Sequence, residues 1–381
     1  MSEKISVLIV DDSALMRSII GRIVESTPGL EIADKAMNGK FALQKLERAK
    51  PDVIVLDLEM PEMGGLEFLK ERQRLGIDIP VIILSSIATQ GAHVTIQCLE
   101  AGAVDFITKP NGSDASNIKT VGDELVERLF AYGGRYKQKK SAGEANKLPD
   151  NLAQKYRVDT ESIYRAAMPL FSPQQPKKPE PVVPLLQPGT LEVIGIGIST
   201  GGPNALRQVF AELSGDIRQP ILVVQHMPPG FTYEFANSLN KICQLEVKEA
   251  SDGDLLKPGR ILIAPGGKHM IIERRSLASI VRITETPPEN GHRPSVDVLF
   301  NSIAENYKNH ALGVIMTGMG KDGAKATLEL YRQGSRTLGQ DEASSVVYGM
   351  PRVAFEMGGV MEQVSLDNMA AAINRYALGN A

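Results

Sequence analysis

Short apolar runs that break off at a polar residue, each followed by a stretch of helical spacing, recur through most of this 381-residue chain. Ile5–Val10 stops at Asp11-Asp12, and Leu15, Met16, Ile19, Ile20, Ile23 and Val24 then follow at helical intervals behind Ser13 until Pro28-Gly29. Residues 53–56 stop at Asp57, 81–84 at Ser85-Ser86 and 104–108 at Lys109-Pro110, with 31–36 reading as a weak edge strand. Strands without polar alternation, separated by helices, predict a parallel sheet covered on both faces. Residues 1–133 form one such body.

From about Arg135 the chain turns polar and basic, and seven prolines fall between Pro169 and Pro188. Proline at that density blocks helix and sheet ladders and favours an extended, semi-rigid chain. Residues 134–189 therefore read as a linker, with a short helix possible near 159–167. The Lys137–Lys140 cluster reads as a solvated charge run. A second α/β body spans 190–381. Its expected elements are strand 192–197, helix 203–213, strand 220–225 and helix 231–241. Shorter strands follow near 260–263, 270–272 and 280–283, giving an antiparallel or mixed middle portion. A helix near 296–305, a strand 311–316, a glycine-rich turn and a helix from Gly323 close the pattern.

With 42 basic and 45 acidic residues and a net charge of −3, the chain has no cationic excess for phosphate neutralisation, so nucleic acid is not the expected main partner. The only cysteines, Cys98 and Cys243, allow neither a disulfide framework nor a zinc pattern and suit a reducing cytoplasm. No run is long enough for membrane insertion, and the first apolar run is broken by two aspartates, unlike a signal peptide.

In a parallel sheet ligands gather outside the carboxyl ends of the strands. In the first body that edge collects Asp11, Asp12, Asp57, Ser85 and Lys109. Strand-end aspartate is common in turns, but five polar groups at four strand ends are harder to dismiss. Three close carboxylates call for a cation, and hard oxygen donors suit Mg²⁺. A lysine and a hydroxyl beside them would hold a phosphoryl group that Asp57 accepts. The stretches VLIVDDS, PDVIVLDLEMPEMGGLEFL, PVIILSS and AGAVDFITKP resemble the receiver domain of response regulators over residues 4–130. The resemblance implies a flavodoxin-like, five-stranded parallel sheet. It also implies phosphorylation at Asp57, Mg²⁺ bound by Asp11, Asp12 and Asp57 with help from the Glu59 carbonyl, and a switch formed by Ser85, Phe106 and Lys109.

The second body opens on LEVIGIGISTGGPNAL, a strand, a glycine turn bearing Ser199 and Thr200, and a helix from Pro203. A dinucleotide loop fits poorly: Thr200 stands at the third glycine position and the next strand ends in Gln225-His226 without an acid. A purely structural turn leaves the paired hydroxyls unexplained. A nucleophile fits best, since GISTG matches G-x-S-x-G and His226, at a neighbouring strand end, can serve as its base. Asp322, in TGMGKDG after strand 311–316, can orient that base. The N–H of Met319 is a candidate oxyanion donor, with Thr200 in support. Among the other histidines, His269 starts a strand and so sits at the wrong end, His310 ends a surface run, and His292 could line a pocket. Ser295 with Asp297 reads as helix capping, and Cys243 as packing. The order Ser, His, Asp differs from that of α/β-hydrolases.

The stretches IGISTGGPNAL, ILVVQHMPPGFT, LKPGRILIAPGGKHM, HRPSVDVLF, LGVIMTGMGKDGA and GQDEASSVVYGMP closely resemble the catalytic domain of chemotaxis response regulator protein-glutamate methylesterases. The resemblance implies a Rossmann-like α/β domain with the triad Ser199, His226 and Asp322. It implies hydrolysis of glutamate methyl esters and deamidation of glutamines on chemoreceptor cytoplasmic domains. It further implies activation by a chemotaxis histidine kinase, whose phosphorylation relieves inhibition by the receiver. The ester chemistry itself needs no cofactor. A parallel, non-chemotaxis chemosensory pathway, or a phospho-switched binding module without activity, are the alternatives. Three residues depart from the family pattern: Ile198, expected to narrow the approach to Ser199, Lys321 before the acid, and Ser345 where many members carry cysteine.

Overall fold

The computed structural model describes residues 4–85, 89–109, 115–149, 152, 182–276 and 278–379. The helix expected near 159–167, Ser86, Pro110 and most of the proline-rich segment lie outside the described residues. The chain folds into two compact units.

The first unit runs β1 (Ile5–Val10), α1 (Ala14–Ser26), β2 (Leu30–Ala36), α2 (Gly39–Ala49), β3 (Val53–Asp57), α3 (Gly65–Arg74), β4 (Val81–Ser85), α4 (Thr89–Glu100), β5 (Asp105–Thr108) and α5 (Ala115–Arg128). The sheet order is β2-β1-β3-β4-β5 and every pairing is parallel. β3 and β4 are buried along their whole length because helices cover both faces. β2, with partly exposed residues, lies at the edge as expected. Ser13 starts α1 by accepting the Met16 N–H, which fixes where β1 ends and the helix begins.

The helical chain does not end at 133. A π-helical turn, Leu129–Gly133, leads into α6 (Gly134–Ser141). Tyr136 is buried and its hydroxyl donates to Asp78 at 3.0 Å. Lys139 Nζ lies 2.7 Å from Asp78 and Lys140 Nζ 2.7 Å from Asp52, while Lys137 donates to the Lys4 carbonyl. The basic run is thus paired with two aspartates of the same unit, not simply solvated. Its lack of apolar periodicity made it read as linker.

The second unit runs β6 (Val193–Ile198), α7 (Gly202–Ala211), β7 (Ile221–Gln225), α8 (Phe231–Asn240), β8 (Glu246–Glu249), β9 (Arg260–Ile263), β10 (His269–Arg274), β11 (Ser279–Thr284), α9 (Val296–Tyr307), β12 (Ala311–Ile315), α10 (Ala324–Arg332), β13 (Arg336–Gln340), α11 (Met350–Glu356), β14 (Glu362–Val364) and α12 (Leu366–Ala377). Seven strands form one parallel sheet in the order β14-β13-β12-β6-β7-β9-β8. The antiparallel portion is smaller than expected: β9 belongs to the parallel sheet, and β10 and β11 pair as a separate hairpin. That hairpin packs Met270, Ile272 and Val281 against Leu299, Phe300 and Ile303 of α9. Sequence reading missed β8, β13 and β14. β8 and β14 are short, polar edge strands, and β13 carries one aliphatic side chain, Leu338.

Residues before Thr190 already belong to this unit. The Leu185 N–H donates to the Arg332 carbonyl at 2.7 Å, the Gly189 N–H to Asn309 at 2.9 Å, and Arg336 to the Gly189 carbonyl at 2.8 Å. The glycines of β6 serve helix packing: a Cβ on Gly197 would stand 2.2 Å from Val296 Cγ1, at the start of α9. The same closeness brings the start of α9 to the end of β6, where Ser199 follows.

Candidate active site

β6 ends at Ile198, and the chain then turns through Ser199 and Thr200 to Gly201, whose φ of +80° starts α7. Only glycine adopts that backbone without strain. The turn is held from three sides. The Ser199 N–H donates to the Thr317 carbonyl at 3.0 Å, the Gly202 N–H to the Ser199 carbonyl at 2.8 Å, and Thr317 Oγ1 to the Thr200 carbonyl at 3.0 Å. Gln225, the buried last residue of β7, donates through Nε2 to the carbonyls of Ser199 at 3.0 Å and His226 at 3.2 Å. One amide thereby ties the serine turn to the histidine turn. Ile198 is fully buried, so its side chain packs into the core and does not narrow the approach to Ser199.

His226 bridges the other two expected residues. Its Nδ1 lies 3.1 Å from Ser199 Oγ and its Nε2 lies 2.9 Å from Asp322 Oδ2. The imidazole therefore presents Nδ1 to the hydroxyl and Nε2 to the acid. A proton on Nε2, bonded to the carboxylate, leaves the Nδ1 lone pair free to accept the hydroxyl proton.

Asp322 is buried and heavily bonded. Its Oδ2 also accepts the Val296 N–H at 2.7 Å, and its Oδ1 accepts Ser295 Oγ at 2.7 Å, Asn290 Nδ2 at 3.0 Å and the Asp297 N–H at 3.3 Å. Val296 and Asp297 open α9, so the carboxylate caps the positive end of a helix. Burial alone would raise its pKa, but the bond to His226 and its charge, then Ser295 and Val296, hold it well below the ordinary carboxylate range. Ser295 does cap α9, accepting the Val298 N–H, yet it also holds Asp322. This second role was missed because nothing in the spacing links residue 295 to residue 322. His269 is fully buried: Nδ1 accepts the Ser295 N–H at 3.2 Å, which leaves Nε2–H to donate to the Pro287 carbonyl at 3.1 Å. It braces Ser295, whose hydroxyl holds Asp322. Asp297 accepts the Ala326 N–H at 2.9 Å, tying α9 to α10.

His292 stacks on His226 with ring centroids 3.9 Å apart and planes 10° from parallel. Among the described residues the N–H groups of Thr200 and Met319 make no hydrogen bond, as oxyanion donors require. Gly318 holds the Met319 turn against Ser199: a Cβ there would lie 2.8 Å from Ser199 Cβ. Met319 is 53% exposed. Ser345 is buried and donates to the Asp341 carbonyl at 2.7 Å, and Lys321 is exposed. Burial pushes the Cys98 thiol up to about 12, and the Cys243 thiol is also raised by burial, so neither resembles a reactive thiolate.

The first unit carries its own cluster. Asp11 and Asp57 are buried, Asp12 is exposed, and one oxygen of each lies within 4.8 Å of the others. Lys109 Nζ sits 2.7 Å from Asp57 Oδ2 and 3.2 Å from Asp11 Oδ2. Burial and then the Asp57 charge raise the Asp11 pKa against the pull of Lys109. Burial opposes the Lys109 charge, but Asp57 and then Asp11 hold it protonated. Crowded carboxylates of this kind fit a hard divalent cation. Ser85 Oγ is 2.6 Å from Thr95 Oγ1 of α4, and the Phe106 ring is buried. Glu59, two residues past Asp57, is exposed.

Two family descriptions match the chain, the response regulator receiver domain over residues 7–119 and the CheB methylesterase over 194–373. The protein-glutamate methylesterase/protein-glutamine glutaminase of Treponema denticola is 63% identical over 98% of both chains. That of Treponema pallidum is 55% identical over 98% of this chain and 97% of its own. Among solved structures, the Thermotoga maritima CheB methylesterase catalytic domain is 35% identical, covers 49% of this chain and 99% of its own, and has a TM-score of 0.48.

Proposed function

The chain belongs to the CheB methylesterase family, and from that premise we propose that its second unit hydrolyses glutamate methyl esters, and deamidates glutamines, on chemoreceptor cytoplasmic domains through Ser199, His226 and Asp322. Ser199 Oγ attacks the ester carbonyl while His226 Nδ1 takes its proton. The oxyanion forms against the Thr200 and Met319 N–H groups. His226 returns the proton to the departing methanol, leaving an acyl-serine. Water then attacks, with His226 again as base, and releases glutamate and free Ser199. With glutamine, ammonia leaves in place of methanol. Asp322 keeps the proton on Nε2 and stabilises the imidazolium.

The observation that carries this reading is the pair of contacts at the two ends of one imidazole, 3.1 Å to Ser199 and 2.9 Å to Asp322. Such a constellation favours an enzyme over a docking module, which has no use for all three groups. Methanol release from methylated receptor membranes tests it. Ser199→Ala should lose activity by about 10⁴-fold or more, and retention of near-full activity would refute the assignment.

In the first unit, Asp57 is the acceptor for a phosphoryl group from a histidine kinase, and Lys109 holds that group in place. Asp11, Asp12 and Asp57 would hold Mg²⁺, with the Glu59 carbonyl completing the set. When bound, the cation neutralises charge on the transferring phosphoryl group. Ser85 and Phe106 respond to phosphorylation, which relieves inhibition of the second unit. No described helix is long and apolar enough to cross a membrane.

A further inference from the structure

We propose that His292 is a positioning residue for this hydrolysis: its ring, stacked flat on His226 at a centroid distance of 3.9 Å, fixes the plane of the base between Ser199 and Asp322 and shields one face from water. The inference rests on His226 being the base. Both hydrogen bonds of His226 lie at ring nitrogens, in the plane of the ring. Neither presses on a face, and histidine χ2 lies in a broad, shallow well. A stacked ring whose plane lies 10° from parallel resists the rocking motion that the in-plane bonds leave open.

The loop that carries His292 is built to hold it there. The His292 N–H donates to the Glu289 carbonyl at 2.9 Å, and the Glu289 N–H returns to the His292 carbonyl at 3.1 Å. Between them Asn290 adopts φ +53°, a left-handed backbone that asparagine tolerates better than most residues. Its Nδ2 reaches both Asp322 and Asp297. One short loop therefore touches the acid with Asn290 and Ser295 and the base with His292.

The stack must not carry charge of its own. Two groups bear electrostatically on the His292 ring, His226 from the end of β7 and Asp322 from the loop before α10. The neighbouring Arg293 turns its guanidinium to the Glu285 and Thr286 carbonyls. Burial first, and then the charge of His226, push His292 down to about 4 against the pull of Asp322. At neutral pH the imidazolium that forms on His226 thus meets a neutral aromatic face, which attracts a cation.

Four variants, assayed by methanol release across pH with kcat and KM separated, test the role. His292→Phe keeps a neutral ring and should hold kcat near wild type. His292→Ala should lower kcat by about tenfold or more at unchanged KM, the scale of a loosened catalytic group. His292→Lys places a cation beside the base and should move the acid limb of the kcat profile down by about one unit. Ser199→Ala separates the two levels of inference. If it stays active, the triad reading fails. If it is inactive while His292→Phe loses as much as His292→Ala, or while His292→Lys leaves the acid limb in place, the positioning role alone is overturned. Should His292→Ala fail to fold, the Phe and Lys variants still decide.

Discussion

Replacing Asp322 by asparagine removes one charge and one acceptor from the most heavily bonded side chain of the site. Five donors converge on its two oxygens: His226 and Val296 on Oδ2, and Ser295, Asn290 and Asp297 on Oδ1. An asparagine amide offers one oxygen and one NH₂ group. If the NH₂ faces His226, it also faces the Val296 N–H, and the imidazole must carry its proton on Nδ1, pointing at Ser199. If it faces the other way, it meets Asn290 and the Asp297 N–H. Either orientation strands at least one buried donor, at about 1–3 kcal/mol each, so the second unit should lose about 2–4 kcal/mol in a denaturant titration. Activity should fall by about 10⁴-fold at unchanged KM, the size of tautomer and charge loss in serine triads. The acid side of the stability profile supplies a second readout. The folded Asp322 pKa is depressed below its ordinary 3.8. Its contribution is therefore present above that value and is lost as pH falls from about 4 toward the folded pKa. Wild type should lose stability over that window, and Asp322→Asn should lose less. A variant keeping a tenth of wild-type activity, or one with an unchanged acid-stability slope, would refute the reasoning.

Two further perturbations follow from the packing and from the receiver cluster. Gly197→Ala would push a methyl group to 2.2 Å from Val296 Cγ1. Overpacking there should cost about 1–3 kcal/mol in chemical denaturation and should displace Ser199 enough to lower kcat, whereas an unchanged midpoint would show that α9 can move aside. Asp57→Asn removes the proposed acceptor that Lys109 holds at 2.7 Å. Stimulation of methanol release by an acyl-phosphate donor should vanish while basal activity persists, and a stimulation equal to wild type would place the phosphoryl group elsewhere.

The residues at strand ends were legible because a strand's end is marked twice, by the last apolar residue and by the polar one that follows. Asp57 and Ser199 are of this kind, and His226 follows one polar residue later, after Gln225. Their supports were not, because support is a matter of approach between segments distant in sequence. Gln225 was visible only as the last residue before His226, yet it clamps two turns. Ser295 read as a cap and is one, but its tie to Asp322 spans 27 residues. His292 read as a pocket residue, and its parallel stack joins it to His226, in a turn far from it in sequence. The strands missed, β8, β13 and β14, lack the apolar run that identified the others.

The extension of the first unit through α6 bears on how this protein can be cut into parts. A fragment ending at residue 133 would remove the buried ring of Tyr136 and leave Asp52 without Lys140, and Asp78 without both Tyr136 and Lys139. Asp52 is itself buried and accepts the Ser6 N–H at 3.0 Å, so its stranded charge would sit at the base of β1. Dissection should cut after Asn146, whose Nδ2 donates to the Gly76 carbonyl at 2.9 Å and whose N–H reaches Asp78 at 3.1 Å. At the other end, a catalytic fragment beginning at Thr190 would drop the bonds that Leu185 and Gly189 make to the body of the second unit, so its first residue belongs before Leu185.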